Sequence, residues 1–332
     1  MDKLLNEFRQ DLVSGDWVLF STGRTKRPHE EKEREENYQP KDGCPFEDPV
    51  KSGQEIIWGF PDNENWQILT VKNKFPAVKS GLCGPNRQVG PFNAHDATGE
   101  HDVIIYKDHE LHLPDFSIEQ AVSAIRVYKK RYQEMAAASE CVEYVMIFHN
   151  YGREAGASLY HPHSQIISMP ILPPDVSSSL FGSFRYYQEN KKRVYDLILE
   201  WELEQKKRIV YENDMFVVFC PFVSKFPYEV RIFPRDSHAH FERMPDEFDK
   251  YLAEALLAVL AKIKKTLGNP SYNFFIHTAP VKENKLENFH EFYSWHIEIL
   301  PKLSILGGFE LGSGIDINVV DPDAAAEKLR NA

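Results

Sequence analysis

The chain has 332 residues, of which 42% are hydrophobic and 13% aromatic, long enough for two domains or one large one with a sizeable core. Its 50 acidic and 39 basic residues leave a net charge of −11, which argues against a nucleic-acid partner but leaves room for a local arginine cluster holding one small anion. The opening MDKLLNEFRQ has no apolar h-region and no run approaches about 18 uninterrupted apolar residues, so neither secretion nor membrane insertion is indicated and a cytoplasmic setting is expected.

Four cysteines, Cys44, Cys83, Cys141 and Cys220, are too scattered for a disulfide framework, and reduced thiols or a metal ligand are expected. The charge run HEEKEREENYQP from residue 29 reads as a solvated loop, followed by the turn-rich GCPFEDP and by IIWGF and WQILTVKN, which alternate like strands. DVIIY from 102 is a strand. It leads to a helix near Ser117, where Gln120 three residues later completes a capping-box pattern, with Ile118, Ala121, Val122, Ile125, Tyr128 and Tyr132 as the buried stripe.

The same series of elements then recurs. YEVRIFPRDSHAHFERMPDEF parallels HDVIIYKDHELHLPDFSIEQ, and the helix behind it carries Phe248, Leu252, Leu256, Val259 and Ile263 until Gly268 and Pro270 stop it. YNFFIHTAP parallels YVMIFHNYG, and SWHIEILP parallels HPHSQIISMP, at a nearly constant offset that suggests internal duplication. Three units follow: 1–183, a connecting helix over 184–208, and 209–332. Each half is expected to be an antiparallel sheet with packed helices, an α+β architecture.

Strand alternation in HPHSQIISMP puts His161, His163 and Gln165 on one face. The preceding NYGREAGASLY supplies Gly152, Gly156 and small neighbours through which backbone N–H groups can approach an anion. Two histidines on a strand edge are more often structural. Beside such a cradle, however, a neutral imidazole is well placed to attack phosphorus and carry the adduct.

EFRQDLVSGDWVLFSTGRTKRP, GCPFEDP, VKNKFPAV, the HPHSQI block, YSWHIEILPKL and GGFELGSG occur in an order that resembles the galactose-1-phosphate uridylyltransferase family of the histidine-triad superfamily. The resemblance spans nearly the whole chain and implies two tandem histidine-triad-like halves. It also implies ping-pong transfer from UDP-glucose to a hexose 1-phosphate such as galactose 1-phosphate, with His163 as the nucleophile that becomes uridylylated. Gln165 falls on the family's glutamine, where many related hydrolases carry a third histidine. A neutral amide donates to a phosphate oxygen without offering a titratable proton, which favours transfer over hydrolysis. By the same carry-over Arg24 and Arg27 match a phosphate-binding pair, Asn73 a nucleotide-site asparagine, Asn150 and Ser158 groups near the α-phosphate, and Glu310 a hexose contact.

The family's structural zinc corresponds to Cys44, His109 and His161, with Glu47 in place of a second cysteine; a carboxylate still completes a tetrahedral set. A second family metal site is expected to be absent or weak, because His277 and His296 remain while Ser294 replaces a histidine. His296 and Glu298 stand where the first half has His163 and Gln165, and that half is expected to be catalytically silent. Phe309 and Asp316 depart from the family's tyrosine and glutamine, leaving the sugar open. The resemblance further implies a homodimer and small-molecule substrates. An ADP-glucose-type phosphorylase and a nucleotide-binding protein without turnover are the rival readings.

Overall fold

The structure is a computed structural model that describes residues 4–26, 38–282 and 289–332. Its first half contains β1 (Asn6–Gln10), β2 (Trp17–Ser21), β3 (Ile56–Phe60), β4 (Ile68–Lys72), the hairpin β5 (Arg87–Val89) and β6 (Phe92–Ala94), β7 (His101–Tyr106), α1 (Ile118–Ala138), β8 (Tyr144–Tyr151) and β9 (His163–Met169). Helices α2 (Pro174–Asn190) and α3 (Val194–Gln205) connect it to β10 (Ile209–Glu212), β11 (Phe216–Phe219), β12 (Val230–Pro234), α4 (Asp249–Leu267), β13 (Tyr272–His277) and β14 (His296–Pro301). Helix α5 (Gly308–Ser313), β15 (Asp316–Asn318) and α6 (Pro322–Arg330) end the chain.

Ten strands form one sheet in the order β10-β11-β12-β14-β13-β8-β9-β7-β4-β3. Outward from the central antiparallel pair of β13 and β8, the two sides repeat the same succession, so the fold is α+β with two tandem histidine-triad-like halves joined edge to edge. The connecting segment departs from the single helix expected over 184–208: Lys191 adopts a left-handed conformation (φ 58°), and α2 ends there before α3 restarts at Val194. A small sheet in the order β1-β2-β15 ties the N-terminal hairpin to the C-terminal segment.

Helices α1 and α4 cover one face of the sheet. The Ser117 hydroxyl accepts the Gln120 N–H while the Gln120 side chain accepts the Ser117 N–H, satisfying two donors that a helix start leaves open. Ala121, Ile125, Tyr128 and Tyr132 of α1 and Leu252, Leu256, Val259 and Ile263 of α4 are buried there, each large side chain contributing about 1.5–3 kcal/mol. Gly268 ends α4 at φ 68°, a conformation glycine takes without strain. From α1, Arg131 Nε donates at 2.7 Å to Asp102, a fully buried carboxylate of β7, and so fixes the helix over the strands that carry the site.

The cysteines depart from expectation. Cys83 and Cys141 are paired as a disulfide with Cα atoms 5.6 Å apart, tying the segment before β5 to the turn between α1 and β8, while Cys44 and Cys220 are free.

Candidate active site and metal centre

Strand β9 lies between β7 and β8, and alternation divides its side chains. Ser164 and Ile166 point toward α1; the Ser164 hydroxyl lies 2.7 Å from Tyr128 Oη, 2.9 Å from Tyr106 Oη and 3.0 Å from His149 Nδ1. This buried network pins the strand from behind. The opposite face presents His163 and Gln165.

The strand starts at His163, two residues later than an alternation running from His161 requires. His161 therefore serves two purposes. Its carbonyl, 2.8 Å from His163 Nδ1, can only accept, so Nδ1 carries the proton and His163 Nε2 keeps its lone pair. Burial pushes the His163 pKa below the ordinary value, against the pull of that carbonyl, and the ring is neutral at pH 7. The Phe46 ring meets it edge-on with centroids 5.3 Å apart. Two positions on, the Gln165 Oε1 atom lies 2.9 Å from His101 Nε2.

The loop before β9 turns at Gly152 (φ 80°) and Gly156 (φ 85°), both in the region that favours glycine. The N–H groups of Ala155 and Ala157 fold back on the Gly152 carbonyl at 3.1 Å. Asn150, at the end of β8, accepts from Asn273 Nδ2 at 2.7 Å, and the same nitrogen donates to the Ala155 carbonyl at 2.7 Å. Asn273 comes from β13, so the second half braces the first half's loop. Ser158 is exposed, and its carbonyl accepts from Gln39.

The His161 side chain joins a separate cluster. Its Nδ1 lies 3.1 Å from His109 Nδ1, 3.6 Å from Cys44 Sγ and 3.3 Å from Glu47 Oε1, which is itself 3.0 Å from His109 Nδ1. Both rings are held from behind by carbonyls: His161 Nε2 donates to Tyr106 O at 2.6 Å and His109 Nε2 to Gln39 O at 2.8 Å. Metal-bound histidines carry such partners, which turn the unprotonated nitrogens inward. Burial lowers the His161 pKa to about 4. One proton on His109 would answer one neighbour, whereas a cation answers two nitrogens, a carboxylate and a thiolate at once. Cys44, His109 and His161 form one group able to hold a metal ion, and Glu47 beside both rings offers a fourth donor, a set that fits tetrahedral coordination.

Residues 1–173 match the sequence profile described as "Galactose-1-phosphate uridyl transferase, N-terminal domain". The chain belongs to the galactose-1-phosphate uridyl transferase family. Residues 93–332 also match a domain of unknown function. The ADP-glucose phosphorylase of Arabidopsis thaliana is 35% identical over 98% of this chain and 92% of that protein, and the galactose-1-phosphate uridylyltransferase of Thermotoga maritima is 30% identical over 98% of each. Among solved structures, that of an ADP-glucose phosphorylase from Arabidopsis thaliana with bound ADP-glucose superposes with a TM-score of 0.84 at 31% identity, covering 99% of each chain. A uridylyltransferase structure superposes at 0.75 with 26% identity, covering 98% of each.

Other residues carried over from the family lie further apart. Asn73, just after β4, comes within 3.2 Å of His101 and thereby joins the Gln165 cluster. Arg24 sits on the short 3-10 turn Thr22–Lys26 after β2, half-buried, and no hydrogen bond or ion pair joins it to His163 or Gln165. Arg27 lies outside the described residues, as does most of the charge run from 29. Glu310 on α5 accepts the Gly307 N–H at 3.0 Å and makes no hydrogen bond to the His163 cluster.

In the second half His277, His296 and Glu298 do come together, within 4.8 Å of one another. Arg231 from β12 already answers that carboxylate at 3.1 Å, and Ser294 is buried. Sequence reading missed His101, Phe46 and Arg231. The signal available was strand alternation, which puts polar His101 on the Gln165 side of β7 and Arg231 opposite Glu298.

Proposed function

We propose that the protein is a nucleotidyltransferase that takes a nucleoside monophosphate from a nucleoside-diphosphate glucose onto His163 and passes it to a phosphate-bearing acceptor. The observation that carries this reading is the single available lone pair on His163 Nε2, fixed by the bond from Nδ1 to the His161 carbonyl. Nε2 attacks the α-phosphorus, an N–P bond forms, and the bond from that phosphorus to the bridging oxygen breaks, releasing glucose 1-phosphate. Positive charge spreads into the ring and is met at Nδ1–H by the carbonyl. The Gln165 amide donates to a non-bridging oxygen, and an oxygen of the acceptor phosphate then displaces the histidine. Asn73, Asn150, Ser158, Arg24 and Arg27 are read as contacts to the nucleotide and its phosphates.

The first substrate reading is UDP-glucose with galactose 1-phosphate as acceptor. A second, ADP-glucose with phosphate as acceptor, is favoured by the relative that is 35% identical and by the fold match at a TM-score of 0.84. Zinc is the metal proposed for Cys44, Glu47, His109 and His161, in a structural role that supplies a cross-link between the 39–47 segment and the entry to β9. We also propose a homodimer in which Glu310 reaches the partner's sugar. Apolar Ile305 and Leu311 on the same segment are 98% and 75% exposed.

Intact-mass spectrometry after mixing with each nucleotide sugar tests the reading. A uridylyl or adenylyl adduct that disappears in His163→Ala supports it and names the base. No adduct with either donor overturns it.

A further inference from the structure

We propose that His101 is a positioning residue that orients the Gln165 side-chain amide for transfer at His163, an inference that rests on the reading of His163 above. His101 opens β7 on the same face as Gln165, two residues before Val103, which pairs with Gln165 across the ladder. Its Nδ1 lies 3.1 Å from the backbone N–H of Ala77. That N–H has no choice of role, so Nδ1 accepts. A neutral imidazole has one N–H, which therefore sits on Nε2.

His101 Nε2 is 2.9 Å from Gln165 Oε1, and this contact is the donor–acceptor pair the tautomer demands. Gln165 Oε1 is thus occupied, and its NH2 is left for the phosphate. The flipped amide would turn a carbonyl oxygen toward an anion, at an electrostatic cost just where negative charge has to be held. Asn73 is oriented by its own loop. Its Oδ1 accepts the Phe75 N–H at 2.9 Å, so the group it brings to 3.2 Å of His101 Nε2 is its own NH2, a second donor that the protonated Nε2 does not accept. One imidazole, with its tautomer set by the loop that carries Asn73, thus leaves the Gln165 amide facing the site as a donor.

Two measurements on the full-length protein test this. In a long-range proton–nitrogen spectrum of protein carrying nitrogen-15 histidine, His101 is expected as the Nε2–H tautomer. An Nδ1–H tautomer overturns the proposal whether or not the protein turns over. In single-turnover experiments with UDP-glucose and with ADP-glucose, His101→Phe is expected to slow formation of the His163 adduct about 10–100-fold, with a smaller change in KM. His101→Gln, whose amide N–H reaches the position of Nε2–H, recovers most of that rate. In a Gln165→Ala background His101→Phe costs nothing further, because its effect passes through that amide. Full additivity of the two losses, or no rescue by glutamine in a variant that melts like the wild type, sinks the idea. Absence of any wild-type adduct is a different result: it overturns the His163 reading and leaves the tautomer measurement to decide on His101.

Discussion

The two halves of the sheet carry the same histidine in the same backbone setting, and the surroundings of the two rings are not alike. His163 Nδ1 meets the carbonyl of His161 at 2.8 Å, and His296 Nδ1 meets that of Ser294 at 3.0 Å. What faces each ring differs. Opposite Gln165 on the neighbouring strand stands Val103; opposite Glu298 stands Arg231, which pairs with that carboxylate at 3.1 Å and with Glu229 at 2.8 Å. The face bearing His163 meets Phe46, whereas α3 brings Tyr195 over the face bearing His296, beside Phe233 and Tyr293. Strand geometry delivers an available lone pair in both halves. The groups across the ladder differ: an apolar side chain beside Gln165, an ion pair beside Glu298.

The sharpest way to break this contrast is to remove each ring in turn. His163→Ala is expected to lower nucleotide-sugar turnover by at least about a thousandfold, since a covalent nucleophile has no substitute, while His296→Ala stays within about threefold. Comparable losses in both variants, read from initial rates on UDP-glucose and ADP-glucose, would make the second half a partner in catalysis. The metal clusters come next. Cys44→Ala and His109→Ala are expected to lose bound metal, measured by elemental analysis, and on the order of 3 kcal/mol of unfolding free energy. His277→Ala should leave metal content unchanged, because Arg231 already supplies the cation there.

Much of this contrast was legible in the sequence. Ser117 and Gln120 announced α1, Gly268 its counterpart's end, and the H-x-H-x-Q spacing put His163 and Gln165 on one strand face, because caps and strand alternation are local physics. What escaped depends on distant segments meeting. Lys191 gives no composition signal for the left-handed break that splits the connecting helix in two. Cys83 and Cys141 are 58 residues apart, and His101 gains meaning only when β7 pairs with β9. Motif order likewise grouped Arg24 and Glu310 with His163, yet among the described residues no hydrogen bond or ion pair joins them.

Acid is expected to strain both halves alike. Burial, named first among the causes, lowers His112 in the first half and His277 in the second to about 4. The unfolded chain binds protons near the ordinary value of 6.5 while these rings stay neutral, so stability falls as pH drops from 6.5 toward 4. Each contributes up to about 3 kcal/mol across that window. Chemical denaturation at pH 7, 6 and 5 should show the midpoint falling, and His112→Phe should flatten the slope. A flat profile in the wild type would mean that these rings are solvated.

The smallest effect probes the ion cluster that separates the halves. Glu298→Gln gives the second half the neutral amide of the first. Burial first, and the nearby charge of Glu298 after it, push the Glu229 pKa up against the pull of Arg231. An acid raised in the folded state favours folding at low pH, and that contribution is lost as pH rises through the folded value. Removing the Glu298 charge brings Glu229 back toward its ordinary range, so less is lost on going from pH 5 to 7. The variant gives up one of Arg231's two carboxylates and should be less stable than the wild type by about 1 kcal/mol at pH 5, with the gap narrowing by pH 7. Turnover should hold within about twofold. A gap that widens with pH would mean that Glu229 is charged throughout and that Glu298 is the carboxylate Arg231 depends on.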